Sequence, residues 1–208
     1  MKIIVTSGPT RSYIDEIRYI SNYSTGELGS LIAGKAALKG HKVTQIYGKG
    51  SVFSAEKGVK KIEIETVDEL LLELKNGLRN GAEAVIHAMA VLDYVAPGKI
   101  RAKVKSDREN WTVKFVRSPK VINEIKKIAP KARLVGFKME YKAGKNGLLK
   151  AAKELISKSG AEYIVANDFK SVKAGKHTAM IIGKSGFIKG NIKGKEKIAG
   201  EIVELLKR

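Results

Sequence analysis

The chain predicts a doubly wound α/β fold, a Rossmann-like and mostly parallel sheet with helices on both faces and one protruding β-hairpin. Three observations lead there. Helical and strand periods alternate through the first two-thirds of the sequence. The run Ala84-Val85-Ile86-His87-Ala88-Met89-Ala90 is almost continuously apolar, as a strand buried on both faces of a parallel sheet requires. A first strand, Ile3 to Thr6, leads through a polar connection, Ser7 to Tyr23, into a helix opening at Ser24-Thr25-Gly26-Glu27-Leu28-Gly29. That connection is long where a few residues are usual. It carries Arg18 and Asn22 and ends on small residues at a helix N-terminus, where free N–H groups and the helix dipole favour an anion such as phosphate.

The elements follow in order. The first helix runs from Thr25 to about Lys39, with Leu28, Leu31, Ile32 and Leu38 as its apolar side and Gly40 as its C-cap. Lys42–Tyr47 is the second strand and Lys61–Glu65 the third. Thr66 followed three residues later by Glu69 is a capping box, and Leu70, Leu71, Leu74 and Leu78 supply the buried stripe of the helix that follows. The stretch Lys99 to Val116 holds two short alternating runs, Ile100–Val104 and Trp111–Val116, about the charged turn Lys105–Asn110, and predicts a hairpin flap over about 99–117. Ser118-Pro119 opens a helix through about Ile128, with proline in its first turn. Leu134–Phe137 is a core strand, Leu148–Lys158 a helix and Tyr163–Ala166 a further strand. Thr178–Ile182 with Gly186–Ile188 is a closing hairpin, and Lys195 to Leu206 a final helix. With no internal repeat and no low-complexity linker, residues 1–208 are expected to form a single domain.

Composition bounds the function. Zero cysteines exclude disulfides, thiolate nucleophiles and cysteine-ligated metals. No apolar run approaches the roughly 20 residues that span a bilayer, and the N-terminal apolar run turns polar too soon for a signal peptide. A cytoplasmic protein with no membrane partner is expected. Abundant Lys and Glu with a single glutamine, Gln45, is a thermophile tendency. The net charge of +19 suits either nucleic acid or small anionic substrates. The lysines are spread along the chain and no nucleic-acid signature appears, so the small-anion reading is preferred.

In an open parallel sheet the ligand lies beyond the carboxyl ends of the strands. The segments there are Thr6–Asn22, Met89–Tyr94, Gly136-Phe137 and Ala166-Asn167-Asp168. A dinucleotide fingerprint needs its glycines in one short turn, whereas Gly8 stands alone and Gly26 and Gly29 come some twenty residues later. His41, His87 and His177 lack a carboxylate or serine partner in any catalytic arrangement and read as structural or surface residues. Chemistry run by positioning and charge stabilisation fits better.

At this point Val5-Thr6-Ser7-Gly8-Pro9-Thr10, Ile14-Asp15 and Arg18 through Gly29 together resemble the opening of the phosphopantothenate–cysteine ligase (phosphopantothenoylcysteine synthetase) family. Ala88–Tyr94 resembles its second motif, and Lys103-Val104-Lys105-Ser106 falls where the family has a lysine-rich flap. Val135-Gly136-Phe137 and Ile164–Asp168 resemble two more, in the family's order and over nearly the whole chain. The resemblance implies a ligase of coenzyme A biosynthesis. A nucleoside triphosphate, CTP or ATP with CTP favoured, activates the carboxylate of 4′-phosphopantothenate as an acyl-nucleotidylate with Mg2+ present. L-cysteine then displaces the nucleoside monophosphate.

By the same resemblance, Asn22 and Arg18 serve the acyl-nucleotidylate and the cysteine step, and Lys103 or Lys105 reaches the triphosphate. Gly8, Thr10, Ser24, Thr25 and Gly26 hold the phosphopantothenate. Met89, Asp93, Ser118, Pro119, Lys120, Val121, Phe137, Lys153, Lys158 and Asn167 belong to the nucleotide side, and the metal ligands are left open. A homodimer is implied. Pro9, Thr25, Leu92, Ser106 and Phe137–Glu140 depart from the family's usual residues, which leaves nucleotide choice open and admits an inactive nucleotide-binding relative or a nucleic-acid-binding domain as rivals. Many relatives carry an N-terminal flavin decarboxylase domain. This chain begins at the ligase motif, so a stand-alone form is expected, with that activity on another protein.

Overall fold

Alternating burial along the chain produces twelve strands and six helices among the described residues of this computed structural model, which are 1–107, 109–173 and 176–207. The first half holds β1 (Lys2–Ser7), β2 (Arg11–Tyr13), β3 (Tyr19–Ser21), α1 (Glu27–Leu38), β4 (Lys42–Gly48), β5 (Val59–Ile64), α2 (Val67–Arg79) and β6 (Ala84–His87). Then follow β7 (Tyr94–Val95), β8 (Val116–Arg117), α3 (Val121–Ile128), β9 (Arg133–Glu140), α4 (Gly144–Ser159) and β10 (Tyr163–Asp168). Last come α5 (Phe169–Lys173), β11 (Thr178–Gly183), β12 (Gly186–Lys193) and α6 (Lys195–Glu204), with a 3-10 turn at Leu205–Lys207.

Eight strands form one sheet in the order β12-β11-β10-β9-β6-β1-β4-β5. The pairs from β10 through β5 are parallel, and β11 and β12 are antiparallel. Counted along the chain, the parallel strands lie in the doubly wound order 3-2-1-4-5-6, whose direction reverses between β1 and β6. Ile3 and Val5 of β1 pack with Ile32, Ile198 and Ile202 on the α1–α6 face, while Ile4 packs with Leu70, Ile125 and Leu148 on the face of α2, α3 and α4. Successive side chains pointing to opposite layers is why a central strand of this sheet must be apolar throughout.

The capping box of α2 forms as expected. The Glu69 N–H donates to Thr66 Oγ1 at 3.2 Å, and the Thr66 N–H to Glu69 Oε2 at 3.1 Å. Several elements differ from expectation. On α1 the buried side is Gly29, Ser30, Ile32, Ala33, Gly34 and Ala36; Leu28 and Leu31 pack half-buried against the same cluster, as expected, whereas Leu38 is 73% exposed. A Cβ on Gly29 would lie 2.3 Å from Ser7 Cβ, so this helix sits too close to the sheet for leucines on that face. The polar connection after β1 contains its own antiparallel pair, β2–β3. β6 ends at His87, and Ala90 returns only as an isolated bridge to Pro9. Pro119 precedes α3 rather than entering its first turn, and Lys120 is the N-cap.

The hairpin expected over about 99–117 does not form among the described residues; Arg108, in its expected turn, lies outside them. Only Val116 and Arg117 are in a strand, and they pair with Val95 and Tyr94. The alternating run Ile100–Val104 serves the β2–β3 turn instead of a partner strand. The Ile100 N–H donates to the Ile14 carbonyl at 3.0 Å and the Val104 N–H to Asp15 Oδ2 at 3.2 Å.

The close α1–β1 contact yields a stability test. Gly29→Ala must push helix and strand apart, at a cost of roughly 1–3 kcal/mol, read as a lower urea midpoint with unchanged m-value.

Candidate active site

The carboxyl edge of β1 is shaped by glycines. Gly8 and Gly26 both take positive φ, 75° and 78°, which an L side chain resists. A Cβ on Gly8 would stand 2.1 Å from Ser51 Oγ, and one on Gly26 would stand 2.9 Å from Ser51 Cβ and 3.3 Å from the Gly8 nitrogen. A Cβ on Gly48 would strike the Pro9 carbonyl oxygen at 2.0 Å. Gly8, Gly26 and Gly29, distant in sequence, therefore meet where β1 passes into α1. They fill the three glycine places of a phosphate-binding βα turn, with residues 9–25 as an excursion between the first two. The sequence spacing had set Gly8 apart from the other two.

Gly26 is the N-cap of α1 and no side chain caps the helix, so its first-turn amides keep the positive end of the dipole open. Beside it, Ser51 Oγ is buried with no hydrogen-bond partner. The loop after β4 is fixed there by the Val52 N–H donating to the Thr25 carbonyl at 2.9 Å. Gln45, fully buried, ties the same loop to β1: its Nε2 donates to Ser7 Oγ at 2.9 Å and its Oε1 accepts the Ser54 N–H at 2.8 Å.

Across the switch point, the chain after β6 is zipped to the chain after β1. The Ala88 N–H donates to the Thr6 carbonyl at 3.0 Å, Ala90 to Gly8 at 2.8 Å, and the Leu92 N–H to Thr10 Oγ1 at 3.0 Å. Thr10 is fully buried, so its hydroxyl shapes the 88–93 wall and does not face a ligand. Asn22, exposed, donates its side-chain amide to the Val91 carbonyl at 3.0 Å and so stands over that wall. Asp93 Oδ1 pairs with Lys120 Nζ at 2.6 Å, and the Ser118 hydroxyl donates to the Leu92 carbonyl. Ser24 is half-buried and Thr25 exposed at the mouth of α1.

Two carboxylates anchor the excursion. Asp15, whose side chain has no exposure, accepts the Ile17 and Arg18 N–H groups and the Arg18 guanidinium at 2.6 Å. Burial alone would raise its pKa, but these donors and the Val104 N–H outweigh it and leave the carboxyl below its ordinary value. Glu65 accepts Lys49 Nζ at 2.6 Å and the Tyr13 hydroxyl, which together hold its carboxyl down. The Arg11 N–H donates to the Glu65 carbonyl at 2.6 Å.

Other expected residues are placed differently. Met89 and Val121 are buried in the core, and Phe137 packs against the α1–α6 cluster, so their side chains are largely committed. Asn167 is half-buried near the end of β10, and Pro119 is exposed before α3. Lys153 is exposed midway along α4. Lys158 lies in its last turn, about 20 Å from Gly144 by helical rise. Since α4 runs back from the carboxyl edge, Lys158 sits at the opposite edge of the sheet and is not brought to the crevice. Lys103 and Lys105 are exposed on the irregular segment beyond Ile100. Sequence reasoning missed Ser51, Gln45 and Glu65, and quoted Asp15 in the motif without giving it a role; the lone glutamine inside a β-run was a further signal.

Such a crevice, at the switch point of a doubly wound sheet, between the N-terminus of α1 and the Asp93–Lys120 pair, defines an α/β domain of the Rossmann-like class. The chain belongs to the DNA/pantothenate metabolism flavoprotein C-terminal domain family, whose pattern matches residues 1–208. It is 35% identical over 184 residues, 88% of this chain and 45% of the relative, to the coenzyme A biosynthesis bifunctional protein CoaBC of Thermococcus kodakarensis. It is 32% identical to the Borreliella burgdorferi protein of that name, over 99% of this chain and 52% of the relative. The chain thus spans about half the length of these curated relatives. The DNA/pantothenate metabolism flavoprotein from Streptococcus pneumoniae has the same fold, with a TM-score of 0.90 at 29% identity, covering 100% of this chain and 98% of that one. In a second solved structure, the C-terminal domain of a CoaBC protein, the fold recurs with a TM-score of 0.82 at 23% identity, covering 99% and 93%.

His87 gives this region a pH signature. Its Nδ1 lies 2.8 Å from Thr6 Oγ1, and burial, then the charge of Lys120, pushes the imidazole down to about 4. The unfolded chain takes up a proton near 6.5 that the folded chain refuses until about 4. This contribution is therefore complete above about pH 6.5 and shrinks as the pH falls toward 4, by about 2 kcal/mol at pH 5. Urea unfolding at pH 7 and pH 5 should show that loss in the wild type and a correspondingly smaller one in His87→Asn.

Proposed function

We propose that this chain, acting as one domain over residues 1–208, joins 4′-phosphopantothenate to L-cysteine through an acyl-nucleotidylate. The observation that carries the reading is the place of Asn22, set over the 88–93 wall between the uncapped N-terminus of α1 and the Asp93–Lys120 pair. Family membership and relatives named for coenzyme A biosynthesis support it. In the first half-reaction a carboxylate oxygen of the substrate attacks the α-phosphorus of CTP or ATP, CTP being favoured, and the bond to pyrophosphate breaks. The amine of cysteine then attacks the acyl carbon, the nucleoside monophosphate leaves with the bonding pair, and the amine gives up its proton.

The amides around Gly26, with Ser24, suit the substrate's phosphate. Asn22 donates toward the activated carboxyl, where negative charge gathers as the cysteine amine attacks. Lys120, with Lys103 or Lys105, meets the triphosphate. Among the described residues no three acidic or histidine side chains cluster as a metal site. That donor set fits Mg2+ arriving on the triphosphate, with Asp93 as the carboxylate that would meet it. When bound, Mg2+ would offset charge on the phosphate oxygens. Exposed Ile17, Tyr19, Tyr94, Ile100 and Val116 lie on segments that pack on one another, which suits a second copy of the chain and a homodimer.

Pyrophosphate should be released from CTP or ATP only when 4′-phosphopantothenate and Mg2+ are present; no release from either nucleotide at several temperatures overturns the reading. Asn22→Asp should leave that release within a few-fold of wild type while slowing the cysteine step by roughly 100-fold, measured by trapping the acyl-nucleotidylate. For the dimer, light scattering should give twice the chain mass, falling to one for Ile17→Glu combined with Val116→Lys.

A further inference from the structure

Asp15 lies in the turn of the β2–β3 hairpin, and its two oxygens do different work. Oδ1 accepts the Ile17 and Arg18 N–H groups at 2.9 and 2.7 Å, which is the local bonding that any aspartate turn provides. Oδ2 reaches outward: it accepts Arg18 Nη1 at 2.6 Å and the Val104 N–H at 3.2 Å, across 89 residues of chain. The same Arg18 Nη1 donates to the Val104 carbonyl at 3.1 Å, and the guanidinium lies over the Trp111 ring, 5.2 Å from its centroid. Asp15, Arg18 and Val104 therefore close a ring of hydrogen bonds roofed by an indole.

Val104 stands between Lys103 and Lys105, and all three border an open cavity of about 380 Å³ with Ile100 and Trp111. No strand ladder holds the described residues between Ile100 and Phe115. Beyond the backbone bond from the Ile100 N–H to the Ile14 carbonyl, side-chain bonds from the hairpin do so. Turn formation alone needs only Oδ1, so the commitment of a buried Oδ2 to a distant segment requires another explanation.

We propose that Asp15 is a positioning residue for the lysine segment: it orients Arg18 so that Val104 and Trp111 are clamped, and thereby sets where Lys103 and Lys105 stand relative to the hairpin that leads into Asn22. The proposal rests on the ligase reading for the step that it serves, pyrophosphate release. A one-ångström misplacement of a charge-stabilising group costs on the order of 100-fold in rate. Asp15 itself touches no reacting atom.

Trp111 is the only tryptophan in the chain, so its emission reports the clamp directly. In Asp15→Asn the emission should shift to the red, trypsin should cut after Lys103 and Lys105 roughly tenfold faster, and kcat for pyrophosphate release should fall 10- to 100-fold with KM for 4′-phosphopantothenate within twofold. Val104→Pro removes the same bond without altering a buried side chain and should reproduce all three changes should Asp15→Asn not fold. Unchanged emission and cutting in either folded variant overturn the proposal, as does a loss of rate no larger than the loss of folded protein. If the wild type releases no pyrophosphate at all, the ligase reading fails, while emission and cleavage still decide whether Asp15 docks the segment.

Discussion

The carboxyl edge of this fold depends on a gap that admits no side chain. β1, the start of α1 and the loop after β4 converge so closely that Gly8, Gly26 and Gly48 each lack room for a Cβ, with Ser51 and the Pro9 carbonyl occupying the space. Closing the gap brings the two ends of a 17-residue excursion together, and it leaves backbone amides as the floor of the crevice. A floor of amides is already oriented when a ligand arrives, so little ordering cost remains for binding. The buried Ser7–Gln45–Ser54 bridge holds the third side of the gap, which explains an uncharged amide inside an apolar strand.

The excursion itself could not be held by apolar burial, because it is short of large buried side chains. It is pinned at two buried or half-buried carboxylates, Glu65 from the sheet side and Asp15 from within. Each is saturated with donors, the condition under which a desolvated carboxylate becomes an anchor rather than a penalty. Arg11 illustrates the economy of the arrangement: its guanidinium lies 4.5 Å from the centroid of the Tyr19 ring and donates to the Lys49 carbonyl at 2.8 Å, so one side chain ties the hairpin to the loop after β4.

Much of this was legible in the sequence. Period alone located the strands of the sheet and their covering helices, and Thr66–Glu69 announced its capping box. Three features were not legible, each for a physical reason. Alternation in Ile100–Val104 signals an apolar side but not its partner, and here the run bonds to a hairpin turn, with Ile100 left exposed, instead of pairing as a strand. Of the apolar side read on α1, Leu28, Leu31 and Ile32 do pack on the core and Leu38 does not, while the Gly, Ser and Ala stripe that permits the close approach to Ser7 carries no hydrophobic signal. Spacing separated Gly8 from Gly26, and nothing in a linear reading shows that an excursion returns to its origin. The crevice was legible as a place: Asn22, Ser24 and Gly26 lie at its edge, while Lys158 lies on the far edge of the sheet.

The 88–93 wall and the lysine segment differ in rigidity, and on the proposed reading this divides their labour. Residues 88–93 spend backbone groups on Thr6, Gly8, Thr10, Asn22 and Ser118, with Met89 and Leu92 buried beneath. Such a wall cannot adapt to its ligand and is suited to fixing the reacting carboxyl against Asn22. The described residues of the lysine segment carry no strand ladder and are held mainly by the Asp15 and Arg18 side chains, so on that reading the segment yields as a triphosphate enters and pyrophosphate leaves. His87, in the strand leading into the rigid wall, fits this division. Burial keeps it neutral at ordinary pH, which leaves charge in the crevice to lysines and to the helix dipole, groups that need not change protonation as phosphate charge moves past them.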